Sequence, residues 1–307
     1  MSIFEDYGII LDDRIKVIRE TNKKFDLENN AYLSFSGGKD STILHYLIDM
    51  ALPGNRIPRV FLDTGIEYLE IRKFVNGLSE KDDRFAIVRP TKPIKAVLDK
   101  YGYPFKSKEF SLHLGIYQRS GKTKSVRRFL QEDDGAQNKL ITCPIILRHM
   151  FTANGSPEFK VSSDCCKKLK KETAHRYEIE SQRHIAITGM RSEEGGQRMR
   201  IKGCILTDKD GKLKRFHPLI VVSEEWENRF LEENGIELCK LYYPPFNFKR
   251  TGCKGCPFAL DLQEQLSIME VYMPNERAQC ELIWKPVYEI YRKLGYRLDR
   301  EEQLKIL

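Results

Sequence analysis

Ala31 to Leu47 reads AYLSFSGGKDSTILHYL, and the fold turns on how this stretch is parsed. Ala31 to Phe35 is an apolar, β-prone run. From Ile43 the apolar residues recur at helical spacing, with Ile43, Leu44, Leu47 and Ile48 on one face. Between these patterns, Ser36-Gly37-Gly38-Lys39-Asp40-Ser41-Thr42 must carry the chain from strand to helix. Two glycines there allow a tight turn and bring backbone amides close to an anion. The helix N-terminus adds partial positive charge, and Lys39 adds a full one. Ser41 and Thr42 offer hydroxyls where first-turn N–H groups lack partners. The spelling predicts a phosphate cradle.

The surrounding chain repeats the strand-helix rhythm. Tyr7 to Leu27 reads as an opening helix packing through Ile9, Ile10, Ile15, Val17, Ile18 and Phe25. Pro58 to Asp63 is a short buried strand, followed by Thr64-Gly65-Ile66-Glu67 and a helix to Leu78. Phe85 to Val88 is a third strand and Lys92 to Tyr101 a third helix. Such alternation suits parallel crossovers, so the expected fold is α/β. It is a doubly wound, mostly parallel sheet with helices on both faces. Ligands of such sheets sit beyond the carboxyl ends of the strands, where Ser36 to Ser41 and Asp63 to Glu67 both fall.

Residues 106–164 depart from this rhythm as a basic, helical insert carrying Lys106, Lys108, Arg119, Lys122, Lys124, Arg127 and Arg128. Alternation returns at Ile185 to Thr188, followed by Gly189-Met190-Arg191. Cys204 to Phe216 reads as a hairpin turning at Asp208 to Gly211. Ser223 is placed to cap a helix from Glu224 to Glu233. Beyond Pro244-Pro245 come Gly252 to Phe258 and helices around Leu262 to Met273 and Glu276 to Leu294. The expected organisation is a nucleotide-binding α/β domain over residues 1–240. Residues 241–307 would form a C-terminal segment packing on the same domain.

With 307 residues, 41% hydrophobic and 31% charged, the composition is that of a soluble globular protein. No apolar run approaches the ~20 residues of a membrane helix, so no membrane partner is expected. Met1 to Arg19 carries Glu5, Asp6, Asp12 and Asp13 and does not read as a signal peptide. A cytoplasmic location is expected. The formal charge of +8 favours anionic partners. Eight cysteines in a reducing compartment point to metal or redox chemistry before disulfides.

Cys165 and Cys166 are adjacent, and Cys253 and Cys256 form Cys-Lys-Gly-Cys. Cysteine pairs from separate segments can gather four thiolates round one centre, either a 4Fe–4S cluster or a tetrahedral zinc. Lys167, Lys168, Lys170, Lys171, Lys249, Arg250 and Lys254 supply the positive surroundings that thiolates need. Ser163 and Asp164 are good caps and place Cys165 and Cys166 in the first turn of a helix. Cys143, Cys204, Cys239 and Cys280 read as buried free thiols.

Ser-Gly-Gly-Lys-Asp-Ser differs from the common nucleoside-triphosphate loop, in which Ser or Thr follows Gly-Lys directly. It resembles the PP-loop of the adenine nucleotide α-hydrolase superfamily, whose members bind ATP, act on its α-phosphate and release pyrophosphate. From Ser36 to Pro257 the order of motifs resembles the adenylyl- and phosphoadenylylsulfate reductase family. That order is a PP-loop, Asp-Thr-Gly, Cys-Cys-x-x-x-x-Lys, Thr-Gly-x-Arg and Gly-Cys-x-x-Cys. The resemblance implies that Cys165, Cys166, Cys253 and Cys256 hold a 4Fe–4S cluster. Asp63, Thr64 and Gly65 would line the nucleotide site. Lys168, Arg191 (with Gly189 beside it) and Arg198 would face the anionic end of the nucleotide.

Two departures from the reductases bear on the reaction. Those enzymes attack sulfur with a cysteine near the C-terminus in a Cys-Gly context, whereas Tyr296 to Leu307 holds no cysteine and Cys280 has no glycine neighbour. They also tend to lose the Gly-Gly-Lys-Asp spelling that this chain keeps. The expected activity is therefore that of an ATP-using iron–sulfur enzyme that adenylates an acceptor for sulfur transfer. Ser36, Gly37, Gly38, Lys39, Asp40 and Ser41 would hold the phosphates, with Lys39 countering charge that develops at the α-phosphate. Asp40 or Asp63 would orient Mg²⁺, and Arg191 would act with Lys39. The expected partners are an adenine nucleotide, a nucleic-acid or small-molecule sulfur acceptor, and a sulfur donor protein or thioredoxin; an oligomer is compatible. One alternative is a sulfonucleotide reductase served by thioredoxin. Another is a nucleotide- or nucleic-acid-binding protein with a structural metal.

Overall fold

The computed structural model describes residues 3–132, 142–194, 201 and 203–300. Arg198, one of the expected anion-facing residues, lies outside them. Along the chain come α1 (Ile3–Phe25), α2 (Leu27–Asn30), β1 (Ala31–Phe35), α3 (Lys39–Ala51), β2 (Arg59–Leu62), α4 (Leu69–Ser79) and β3 (Phe85–Val88). Next are α5 (Ile94–Tyr101), α6 (Lys108–Ser120), α7 (Lys124–Leu130) and a 3₁₀ turn at Ile145–Phe151. From α8 (Asp164–Cys166) a π turn over Lys167–Lys171 leads into α9 (Glu172–Ser181). The remainder is β4 (Ile185–Ile187), β5 (Ile205–Thr207), β6 (Leu213–Phe216), α10 (Glu224–Glu233), α11 (Leu262–Tyr272) and α12 (Pro274–Leu294).

The strands form one six-stranded sheet in the order β3-β2-β1-β4-β6-β5. Every pairing is parallel except β5 with β6, which is the hairpin expected from the sequence. Leu33 sits opposite Arg59 on one side and Ile187 on the other, so β1 is central. Ala31, Tyr32, Leu33 and Phe35 of β1 are all buried, as a parallel strand covered on both faces requires. On one face Tyr32, Val60 and Ala186 pack with Tyr177 of α9. The strand order reverses between β1 and β4, which makes the crevice beyond their carboxyl ends the binding position of a doubly wound sheet.

Two compact units divide the chain. The first comprises Met1–Asp63, Glu67–Arg89 and Thr173–Thr251, and contains the whole sheet. The second comprises Thr64–Ile66, Pro90–Glu172 and Gly252–Leu307. The basic tract read as an insert thus falls in one unit with the C-terminal segment.

In the first unit the opening helix differs in detail from its expected packing. Ile9 is 60% exposed, and the inward face carries Tyr7, Arg14, Ile18 and Thr21. Arg14 can be buried because its guanidinium donates to the Pro218 carbonyl and to Cys204 Sγ. Cys204 is half-buried, not the enclosed thiol expected. Arg59 is also fully buried: it donates to His45 Nδ1 at 3.0 Å, to Asn55 Oδ1 at 2.8 Å and to Asp49 at 2.6 Å.

Candidate nucleotide site and cysteine cluster

Gly38 caps α3, so the glycine pair lies at the carboxyl end of β1 and the start of a helix, as the sequence predicts. Gly37 has φ +73°, and a Cβ there would meet Ile71 Cγ2 of α4 at 2.9 Å. The hydroxyls behave differently from expectation. Ser41 and Thr42 are buried, and both donate to the Gly38 carbonyl, at 2.9 and 3.0 Å. Ser41 Oγ also accepts from the Ser36 N–H at 3.2 Å, while the next amides go to other acceptors. The Gly38 N–H donates to Ser36 Oγ at 3.3 Å, and the Lys39 N–H donates to the Tyr242 hydroxyl at 3.0 Å. Tyr242 is itself held to Thr251 Oγ1 at 3.0 Å.

Lys39 and Arg191 reach the same point from different loops. Lys39 Nζ lies 3.1 Å from Glu224 and 3.4 Å from Glu227 Oε2. Arg191 Nε lies 3.2 Å from that same Oε2, and its Nη1 lies 3.1 Å from Glu193. Asp40 Oδ1 stands 3.9 Å from Arg191 Nε. The loops touch because position 189 is glycine: a Cβ there would lie 2.9 Å from the backbone carbon and oxygen of Asp40. Glu227 has no solvent exposure. Burial, followed by the charge of Asp40, pushes its carboxyl up to about 8, against the pull of Arg191 and Lys39.

Glu227 and Tyr242 were missed from sequence. The available signal was modest: Trp226 and Phe230 define the buried face of α10, and Glu227 lies beside them as an acid pointing inward. Ser223 caps this helix by accepting from the Trp226 N–H, as expected. Asp63, at the end of β2, is buried with one oxygen between Arg89 Nε at 3.1 Å and Arg72 Nη2 at 3.3 Å.

Thr64 and Gly65 belong to the second unit, where the Ile66 carbonyl accepts from the Lys254 N–H at 2.8 Å. Lys168 is in this unit too. Its ammonium is bonded to Glu172 at 2.6 Å and lies 4.7 Å from the Tyr101 ring centroid.

Cys165 and Cys166 occupy the short helix α8, as the sequence predicts; its N-cap Ser163 makes no side-chain capping bond, and the Asp164 N–H instead donates to Ser162 Oγ at 3.2 Å. The Cys253-Lys254-Gly255-Cys256 turn has Gly255 at φ +60°. Helix α12 holds this turn from behind. Trp284 Nε1 donates to the Lys254 carbonyl at 3.2 Å, the Tyr288 hydroxyl to that of Gly255, and the Tyr291 hydroxyl to that of Pro257 at 2.9 Å. Lys254 Nζ is fixed by Gln279 at 2.7 Å and Glu276 at 3.3 Å.

The four cysteines act on one another electrostatically. A hydrogen bond with Cys166, burial and the charges of Cys166, Cys256 and Cys253 all push the Cys165 thiol up. Its bond from Cys165, aided by Lys108, Lys170 and Lys171, brings Cys166 down to about 6 in spite of burial. Burial and Cys253 raise Cys256. In chemistry, though not in arrangement, the donor set suits a thiolate-held centre: two cysteine pairs from distant segments, in a lysine-rich setting, one thiol already biased to its anion. Among the described residues, no group of three or more His, Cys, Asp or Glu side chains is arranged to hold a metal ion.

Residues 30–142 and 136–259 match the sequence model of the phosphoadenosine phosphosulfate reductase domain. No curated protein matches the chain. Among solved structures, phosphoadenylyl-sulfate reductase from Candida auris, in a phosphate complex, is similar with a TM-score of 0.46. It is 14% identical, over 82% of this chain and 96% of that one. FMN adenylyltransferase from Candida glabrata, with FMN and an ATP analogue, gives 0.49 at 15% identity, over 82% of this chain and 64% of that one. The U34-tRNA thiolase of Methanococcus maripaludis, with its 4Fe–4S cluster, gives 0.40 at 14% identity, over 94% and 80%.

Proposed function

The chain belongs to the phosphoadenosine phosphosulfate reductase domain family, and we propose that it uses ATP to adenylate an acceptor oxygen for sulfur transfer. The observation that carries this reading is the convergence of Lys39 and Arg191 beside an intact Ser36-to-Ser41 loop at the β1/β4 switch point. The acceptor oxygen would attack the α-phosphorus, the bond to the bridging oxygen would break, and pyrophosphate would leave. Two fixed cations suit that step, since negative charge grows on the phosphate oxygens of the transition state. Mg²⁺ would travel with the triphosphate. A sulfur nucleophile would then displace AMP from the adenylated acceptor.

Cys165, Cys166, Cys253 and Cys256 would hold a 4Fe–4S cluster in the second unit. When bound, that cluster would supply electron-transfer or sulfur-ligating chemistry. The residues of the chain set its conditions: Cys166 offers a thiolate at neutral pH, and α12 fixes the turn carrying Cys253 and Cys256.

The second reading, a sulfonucleotide reductase with thioredoxin as reductant, draws support from the family itself. With Cys280 as nucleophile it conflicts with that residue's setting. Cys280 is fully buried in α12, and burial pushes its thiol up to about 12. The two readings separate on products. Anaerobic protein supplied with ATP, Mg²⁺ and an acceptor should release pyrophosphate, and AMP should follow in equal amount once a sulfur donor is added. Sulfite from a sulfonucleotide with thioredoxin, and no pyrophosphate from ATP, would replace the first reading by the second.

A further inference from the structure

Glu227 is a buried acid that the proposed reaction does not use. One of its oxygens, Oε2, lies 3.4 Å from Lys39 Nζ and 3.2 Å from Arg191 Nε. Two cations from different loops thus meet on a single oxygen, which is the geometry they would give to a phosphate oxygen. Burial makes this an expensive place for a carboxylate, and the structure shows little that compensates it beyond the two cations. Both Glu227 oxygens have less than 1 Å² exposed and accept no well-formed hydrogen bond. Asp40, on the neighbouring turn of α3, adds like charge. Glu224 on the same helix and Glu193 beside Arg191 complete the acidic surroundings.

We propose that Glu227 Oε2 occupies a phosphate-oxygen subsite, serving as a built-in counter-anion that a nucleotide phosphate or pyrophosphate group displaces from Lys39 and Arg191. The inference rests on the nucleotide-site reading and deepens it. When ionised, this carboxylate neutralises the buried Arg191 and the part-buried Lys39 while the site is empty, and it competes with the ligand when it arrives. Removing its charge should therefore tighten anion binding. A residue that merely supported the fold would weaken binding when altered.

The test is isothermal titration of inorganic pyrophosphate into the full chain at pH 9, chosen to favour the ionised form of a carboxyl that burial pushes up. Glu227→Gln should bind roughly three- to tenfold more tightly than the unaltered chain, with a cooperative thermal melt. Equal or weaker binding by folded Glu227→Gln overturns the proposal. Glu227→Met, which keeps length and burial without charge, serves in the same way should the Gln variant fail to fold. A crystal structure of the unaltered chain soaked in pyrophosphate gives a third reading that needs no variant. A phosphate oxygen next to both Lys39 Nζ and Arg191 Nε, with Glu227 withdrawn, supports displacement. Glu227 still in place, with pyrophosphate elsewhere, refutes it. Lys39→Ala and Arg191→Ala identify failure at the level below. If neither changes pyrophosphate affinity, the nucleotide-site reading itself is wrong.

Discussion

Replacing Gly189 by alanine tests whether the two loops of the site are built against each other. The added Cβ would lie 2.9 Å from the carbonyl carbon and oxygen of Asp40 and 3.0 Å from its Cβ. Ordinary contact at 3.4 Å requires a shift of 0.5 Å (3.4 − 2.9). The obstructing atoms are backbone in the first turn of α3, so no side-chain rotation relieves the overlap. Overpacking of this kind costs about 1–3 kcal/mol. At ~2–4 °C per kcal/mol, the melting temperature should fall by roughly 2–12 °C. The same displacement moves Asp40 and Arg191 apart, and misplacement on this scale should slow pyrophosphate release on the order of tenfold. Gly77→Ala in α4, where nothing lies within 4 Å of the new Cβ, is the control and should be neutral or slightly stabilising. Calorimetry and a coupled pyrophosphate assay read both effects. A Gly189→Ala chain that melts and turns over like the unaltered one would show that the loops do not share this contact.

Three further outcomes are expected. Lys39→Ala should weaken binding of a nonhydrolysable ATP analogue by roughly tenfold to a hundredfold, the loss of a charge-assisted contact of ~1.5–3 kcal/mol; unchanged affinity by titration calorimetry would reduce the loop to a structural turn. His45 and His217 are held neutral by burial, each brought down to about 4 from 6.5. Their contribution to stability is complete above the unfolded value of 6.5 and is lost as pH falls towards 4, because the unfolded chain takes up the protons first. The urea midpoint should therefore drop across that window, and a flat profile would contradict it. Gly255→Ala would force a Cβ to 2.5 Å from the Tyr288 hydroxyl and 2.7 Å from Cys280 Sγ. Anaerobically purified protein should then lose most of its iron and acid-labile sulfide, and full occupancy would argue against a cluster on this turn.

Much of the fold was legible because it is local. Ala31–Phe35 and Phe85–Val88 are strands over the spans their composition indicates, and Ser223 announces α10 by the chemistry of its hydroxyl. The glycine pair could be read as a turn with its amides near an anion site. What fills that site could not. Tyr242 meets Lys39 across 203 residues of chain, and Glu227 meets it only because α10 turns its acid inward beside Trp226. Arg14 and Arg59 were unreadable for the same reason: a buried guanidinium depends on acceptors placed by other segments. Ile9 failed in the opposite sense, since its hydrophobic spacing fitted a helix face that the fold leaves in solvent.

The support of the Cys253–Cys256 turn also has a bearing on the order in which the chain matures. Three aromatic groups spaced along one helix donate to two carbonyls of that turn and to that of Pro257 just after it, and each is synthesised 30 or more residues after the carbonyl it binds. Until α12 has formed and docked, the carbonyls of Lys254, Gly255 and Pro257 lack these side-chain donors, and the turn carrying Cys253 and Cys256 is left with backbone bonds such as that from the Lys254 N–H to the Ile66 carbonyl. Cys165 and Cys166, on their own helix far upstream, cannot complete a four-thiol set by themselves. If the four cysteines hold the proposed cluster, a nascent chain could not trap metal prematurely, and loading would come late, after the C-terminal helix has closed on the turn.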